Sequence, residues 1–169
     1  MNTIVNINII VFTEQLIKDY PEPSQDPSNP TQVANSCVYV VKFGQQNKKI
    51  TGFVGEHLNI NASKDLQINF FMSSETSNYD TPVILYEMNL QKSIEHNPLQ
   101  LKMFPKVKTI APKSFNPLVC ETIEKDFWFY TGFFNKHNKS EYGLRFSVYS
   151  DENLNILGYF QFNLSLSIG

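Results

Sequence analysis

Hydrophobic and polar residues alternate with a period of two along much of the chain. From Leu154 to Ile168 the even positions are Leu154, Ile156, Gly158, Phe160, Phe162, Leu164, Leu166 and Ile168. The odd positions between them include Asn155, Gln161, Asn163, Ser165 and Ser167. Such alternation belongs to a strand with one dry face. Tyr142, Leu144, Phe146 and Val148 repeat it, as do Leu66, Ile68, Phe70 and Met72, and Val5, Ile7, Ile9 and Val11. Two further runs, Cys37 to Phe43 (CVYVVKF) and Phe127 to Phe134 (FWFYTGFF), are apolar on both faces. These read as central strands, or as strands covered on both sides by loops or a partner subunit.

The punctuation fits this reading. Gly44 to Lys49 and Asp151 to Asn153 are polar, turn-forming stretches between strand-like runs, and each predicts a hairpin loop. One short helix is predicted over Thr13 to Tyr20: Thr13 suits the N-cap, Glu14 the first turn, and Pro21 ends it. Nine or ten strands of ordinary length predict an all-β fold, and a two-sheet sandwich is how so many one-sided strands bury their dry faces. Pro21 to Ser36 and Gln91 to Leu118 each hold four prolines. Both are expected to be long ordered loops or extended arms, with a short possible strand at Val107 to Ile110. Loops of that length favour a functional or interface role.

At 169 residues the chain is expected to form one domain spanning 1–169, large enough to build a core without disulfides or metal. Charged residues make up 18% against about 25% in ordinary globular chains. With 14% aromatics, that excludes a wholly disordered protein. The net charge of −2 argues against a nucleic-acid surface. The apolar run Ile4 to Phe12 is too short for a bilayer, and the first Lys, Lys18, comes after it. No membrane span and no conventional signal peptide are expected, and a cytoplasmic location follows.

Candidate chemistry is sparse. Cys37 and Cys120 allow one disulfide or a nucleophile served by His; the plainer expectation is two small buried hydrophobes. His57, His96 and His137 lie in no motif that supplies a nucleophile, and GxSxG is absent. No HxH, HExxH, CxxC, GxGxxG or P-loop pattern occurs, so neither a metal nor a cofactor is expected. Asp26 with Asn29, or Asp80 with Glu75, could give oxygen ligands to Ca²⁺, but Asx residues beside Pro more often cap turns. Lys102 to Lys113 mixes Lys with apolar residues, as in an edge segment protected by charge. The predicted turn Asn78-Tyr79-Asp80 offers polar groups beside an aromatic plate, a combination suited to glycan.

The segment Tyr20-Pro-Glu-Pro-Ser-Gln-Asp-Pro-Ser-Asn-Pro-Thr31 is rigid and polyproline-like, with Ser24, Asp26 and Asn29 forming turns. It resembles a motif of the inclusion-body family that includes the AidA and PixA proteins of Gram-negative bacteria. The opening strand with Thr13-Glu14, the run Ile50-Thr-Gly52 through Leu58, Asp80 through Tyr86, and Phe146 through Gly158-Tyr-Phe160 are similar to other parts of that family's pattern. Val33-Ala-Asn-Ser36 stands where the family often has an Ile-Asp-His run. The resemblance covers nearly the whole chain. It implies cytoplasmic inclusions in bacteria, some of them associated with animal hosts, and brings no enzymatic activity and no catalytic residues.

The resulting expectation is an all-β sandwich, jelly-roll-like or immunoglobulin-like, with one short helix and long Pro-rich loops. Its function is that of a non-enzymatic inclusion-body protein that associates with itself. The alternative is a lectin-like module that binds glycan. The residues expected to bind are Tyr20, Ser24, Gln25, Asp26 and Asn29 of the Pro-rich loop and Asn78, Tyr79 and Asp80 of the turn.

Overall fold

The computed structural model describes residues 3–44, 51–54, 57–60, 66–93, 99–115, 117–135, 139–150 and 153–169. Two sheets form from the alternating segments. The first has six strands in the order β4-β3-β1-β6-β9-β8: β1 is Thr3–Val11, β3 Val38–Gly44, β4 Thr51–Val54, β6 Leu66–Ser74, β8 Gln100–Phe115 and β9 Leu118–Phe134. The second runs β2-β11-β10-β7, with β2 Thr31–Gln32, β7 Val83–Ser93, β10 Lys139–Tyr149 and β11 Ile156–Ile168. The short β5 (His57–Ile60) also pairs with β11, farther along the edge that β2 uses.

Both sheets are mixed. β1 lies centrally, antiparallel to β3 and parallel to β6, so Ile7 sits beside both Lys42 and Phe70. β11 is antiparallel to β10 but parallel to β2 and β5. The dry faces meet in one core. Val5, Ile7, Ile9, Val11, Ile68 and Phe70 from the first sheet, and Leu144, Phe146, Phe160 and Phe162 from the second, are buried together. Tyr142 bridges the layers, its ring 6.4 Å from both Phe70 and Phe134. The alternation seen in the sequence is thus the sandwich's inside-outside pattern. It fails at Leu154 and Ile156, which precede or open β11 and stand exposed.

The predicted helix is α1 (Thr13–Asp19), but its cap differs from the expectation. Thr13 lies inside the first turn, and Phe12 at the cap position offers no side-chain oxygen. The acceptor comes from far away in sequence. The Glu75 carboxylate takes hydrogen bonds from the backbone N–H groups of Thr13 (2.9 Å) and Glu14 (3.3 Å). It also accepts from the Thr13 hydroxyl at 3.1 Å. A carboxylate at the first turn answers the orphan donors and the positive end of the helix dipole at once.

The second proline-bearing segment also departs from expectation. Most of it is β8, a strand of 16 residues rather than a loop with one short strand. β8 accommodates its prolines by losing register, once between Phe104 and Val107 and once between Pro112 and Ser114. At the first shift Lys106 takes φ 54°, and the Asp126 carboxylate accepts its N–H at 3.0 Å. A bulge at each proline lets the ladder resume on the far side. The Gly44 to Lys49 hairpin loop falls almost wholly outside the described residues, and Asp151 to Asn153 lies mostly outside them. The strands that flank them, β3 with β4 and β10 with β11, pair antiparallel.

Candidate functional site

Two places on this fold carry features that packing alone does not account for. One is the Pro-rich loop, and the other is the outer part of the β8–β9 hairpin.

The Pro-rich loop lies along the edge and face of β11. Tyr159 N–H donates to the Ser24 carbonyl at 2.9 Å, and the Gln25 amide donates to the Leu157 carbonyl at 2.9 Å. Pro23 rests on Gly158, where an added Cβ would clash with its Cγ. Tyr86 closes the far side: its ring meets Tyr159 edge-on at 5.8 Å and its hydroxyl donates to the Pro27 carbonyl. The two most specific segments of the sequence, Tyr20 to Thr31 and Gly158-Tyr-Phe160, therefore form one contact.

Within the loop the predicted binding residues hold the loop itself. The Tyr20 hydroxyl accepts from Ala34 N–H at 2.9 Å. The Ser24 hydroxyl accepts from Asp26 N–H, and the Asp26 carboxylate accepts from the Ser28 N–H and hydroxyl at 2.9 and 2.7 Å. The Ser28 hydroxyl and N–H hold the Asp26 carboxyl below its ordinary range. Asn29 N–H donates back to the Asp26 carbonyl.

The second group stands elsewhere, in the turn that ends β6. Asn78, at φ 63°, accepts through its side-chain oxygen from Ser74 N–H (2.8 Å) and Val83 N–H (3.0 Å). Asp80 N–H donates to the Thr76 hydroxyl. Tyr79 is 83% exposed, and among the described residues neither its hydroxyl nor the Asp80 carboxylate has a hydrogen-bond partner. Of the two oxygen-ligand pairs considered for Ca²⁺, Asp26 with Asn29 and Asp80 with Glu75, the Glu75 carboxylate is occupied with α1 and that of Asp26 with Ser28. Among the described residues no three His, Cys, Asp or Glu side chains gather as a metal site. His57 lies in β5; His96 and His137 fall outside the described residues.

The hairpin is the larger anomaly. β9 pairs with β6 only from Phe134↔Leu66 to Tyr130↔Phe70. From there outward β9 pairs, among the described residues, with β8 alone, so about a dozen residues of each strand leave the body as a two-stranded arm. Residues 101–110 of β8 are all exposed. Ten of the eighteen exposed large hydrophobics among the described residues lie between Leu101 and Trp128. Phe115 (80%) and Leu118 (66%) stand at the tip, and Ile110 (74%) stands about midway along the arm. Isolated exposed hydrophobics are ordinary, but a contiguous apolar ribbon on a monomer is not.

At the base of the arm the parting of β6 and β9 opens a slot of about 530 Å³. Asn6, Asn8, Phe43, Phe71 and Met72 line one side of it, and Lys125, Phe127, Trp128 and Phe129 the other. Phe71 lies between Phe127 and Phe129 at ring distances of 5.7 and 5.1 Å, and Phe104 stacks on Phe129 at 5.8 Å. The arm's charge is segregated. β8 carries Lys102, Lys106, Lys108 and Lys113 and no acid, while the outer half of β9 carries Glu121, Glu124 and Asp126 against Lys125. Lys108 is cross-strand neighbour to Glu124.

Cys120 is exposed on this arm, against the expectation of two buried cysteines; Cys37 is buried and both are free. Among the described residues no layer covers the strand that bears Cys120, so a residue that would be core elsewhere is open to solvent. Burial raises the pKa of the Cys37 thiol. Sequence reading missed the slot and the length of the arm. The signal present was FWFYTGFF, apolar on both faces at the point where the strand leaves the body. A second concavity of about 730 Å³, lined by His57, Asn59, Lys92, Glu141 and neighbours, lies on the polar face of the other sheet, with Lys92 3.5 Å from Glu141.

Comparison with known proteins agrees with the fold. A crystal structure of an inclusion body protein (PixA) from Burkholderia cenocepacia J2315 superposes with a TM-score of 0.77 at 12% sequence identity, covering 99% of this chain and 97% of that one. At that identity the likeness is one of fold. No curated protein sequence matches the chain. The family model for PixA, inclusion body protein, matches residues 3–168, and on that match the chain belongs to the PixA inclusion body protein family.

Proposed function

We propose that this protein acts by associating with copies of itself into cytoplasmic inclusions, and that its role is assembly rather than catalysis. The observation that carries this reading is the arm. A monomer in water gains nothing by extending two long strands whose exposed faces hold Met103, Phe104, Ile110, Phe115 and Leu118. Covering them removes a large apolar area from water, at roughly 25 cal/mol per Å². The family's description as inclusion body proteins supports the same reading. Among the described residues no helix is long and apolar enough to cross a membrane, so the apolar surface is not that of a spanning helix.

Sedimentation of the purified full chain across a dilution series tests it. The average mass is expected to rise above that of one chain as concentration increases. A single-chain mass at every concentration would overturn the proposal.

A further inference from the structure

The free edges of the two sheets are of two kinds. β7 pairs with β10 through two register shifts, and in both the extra residue belongs to β7. β8 pairs with β9 through two more, and in both the extra residue belongs to β8, which also carries Pro105, Pro112 and four lysines. β2, β4 and β5 are four residues long or shorter. Bulges, prolines, lysines and short length all keep an edge from pairing with another chain. β9 differs. Beyond Tyr130, where β6 leaves it, its second edge runs from Leu118 to Phe129 with no bulge, no proline and, among the described residues, no partner. The N–H and C=O groups on that side are half of a ladder. The charges beside them indicate the other half. Within the arm Glu124 has Lys108 opposite it, but Glu121 faces Ala111 and Lys125 faces Val107. Those two unmatched charges are of opposite sign and lie on one face of the ribbon, with Ile123 midway between them.

We propose that two copies join β9 to β9, antiparallel, along this edge, with Ile123 on the twofold axis. This deepens the self-association reading above and rests on it. An axis perpendicular to the ribbon keeps each face on its own side, so odd-numbered residues meet odd-numbered ones. Centred on Ile123, it sets Glu121 opposite Lys125 of the second copy, and Lys125 opposite Glu121 of the second copy. Val119 then meets Phe127 and Leu118 meets Trp128, so exposed apolar side chains gain neighbours across the seam. Centred one residue away, the axis sets Glu124 against Glu124, or leaves Glu121 opposite Ile123 and Lys125 opposite Val119. Centred on Glu121 or Lys125, it sets like charge on like. The ladder from Val119 to Phe127 forms about nine hydrogen bonds between the copies. Both β8 strands, with their lysines and bulges, stay on the outer edges of the joined ribbon.

The test is a charge swap in the full chain, read by light scattering after gel filtration across a dilution series. E121K and K125E each create two like-charged pairs across the seam and are expected to weaken association about tenfold or more. E121K/K125E together restore opposite charges and are expected to return association to within about threefold of the native chain. Both side chains are exposed and neither has an opposite charge across from it in β8, so the fold is expected to survive, and circular dichroism checks it. A second measurement does not depend on those variants. I123C/C120S is expected to give a disulfide dimer under mild oxidation, because residues directly opposite each other across an antiparallel seam lie about 5 Å apart. K108C/C120S, whose cysteines would lie three strand spacings or about 14 Å apart, is expected to give none.

The β9 pairing is overturned, while self-association stands, if the native chain assembles but E121K and K125E leave its mass unmoved, if the swap stays as weak as either single variant, or if I123C/C120S gives no more disulfide dimer than K108C/C120S. A native chain of single-copy mass at all concentrations overturns both.

Discussion

Glu75 shows how one side chain does work that sequence proximity would not assign to it. Its carboxylate is the cap of α1, though 61 and 62 residues separate it from the groups it accepts from. Partial burial tends to raise its pKa, but the N–H groups of Thr13 and Glu14 and the Thr13 hydroxyl outweigh this and leave the pKa lowered. A carboxylate whose folded pKa is depressed contributes stability that is full above its unfolded pKa and fades as pH falls through the folded one. Glu75→Gln is therefore expected to cost about 1 kcal/mol at neutral pH. The gap between the two proteins is expected to narrow as the medium is acidified below the ordinary carboxylate range. Urea unfolding of both at neutral and acid pH checks this; a gap that widens in acid would assign the helix cap elsewhere. Thr13 was the natural reading of the cap from sequence, because local spacing reveals caps supplied by neighbours and not one brought in by the fold.

At the scale of elements, the Pro-rich loop and the hairpin arm make opposite demands on the chain. The loop is held at several points on β11, and its hold depends on Gly158 having no side chain. Gly158→Ala places a methyl in clash with Pro23 Cγ, so the ring or the strand must move. The expected loss is about 1–3 kcal/mol, read by denaturant unfolding. Faster proteolytic nicking between Tyr20 and Thr31 is expected with it. An unchanged midpoint would mean that the loop tolerates displacement. The loop's rigidity was legible in its prolines and turn residues, because those act through local backbone geometry. The arm was legible only in part. Prolines at 105 and 112 argue against a strand, and the bulges that accommodate them depend on a partner strand that spacing does not show. FWFYTGFF reads as a central strand or as one covered by loops or a partner subunit, because a two-sided apolar strand looks the same whether its cover is another layer or a second molecule.

At the scale of the whole molecule, the sandwich was the most legible feature. Val5, Ile7, Ile9 and Val11, and likewise Tyr142, Leu144, Phe146 and Val148, are buried as their alternation predicts. Period-two patterning records which face is dry, and that is what a two-layer fold requires. It does not record which strands are neighbours. The parallel pairing of β1 with β6, and of β2 and β5 with β11, joins segments that no hairpin connects. Ser24, Asp26 and Asn78 carry the right chemistry for a ligand, and the fold uses it to close their own turns. Turn formation and ligand binding draw on the same short polar side chains, so composition does not separate them.

The central position of β1 bears on how the chain acquires this structure. β1 is made before β3 and β6 and has no complete set of neighbours until both exist, and β2 gains β11 only after all the strands between them are made. Contacts this distant must close long loops before they return any stability, which slows folding. Refolding from urea is expected to take milliseconds to seconds or longer, and a microsecond phase with full amplitude would contradict it. During that interval the unpaired apolar strands are available to other chains. Under the proposed self-association, a particle rich in this protein has two physical origins, native copies joined through their exposed apolar surface and chains caught before β1 is enclosed. Only the first should release folded protein on dilution.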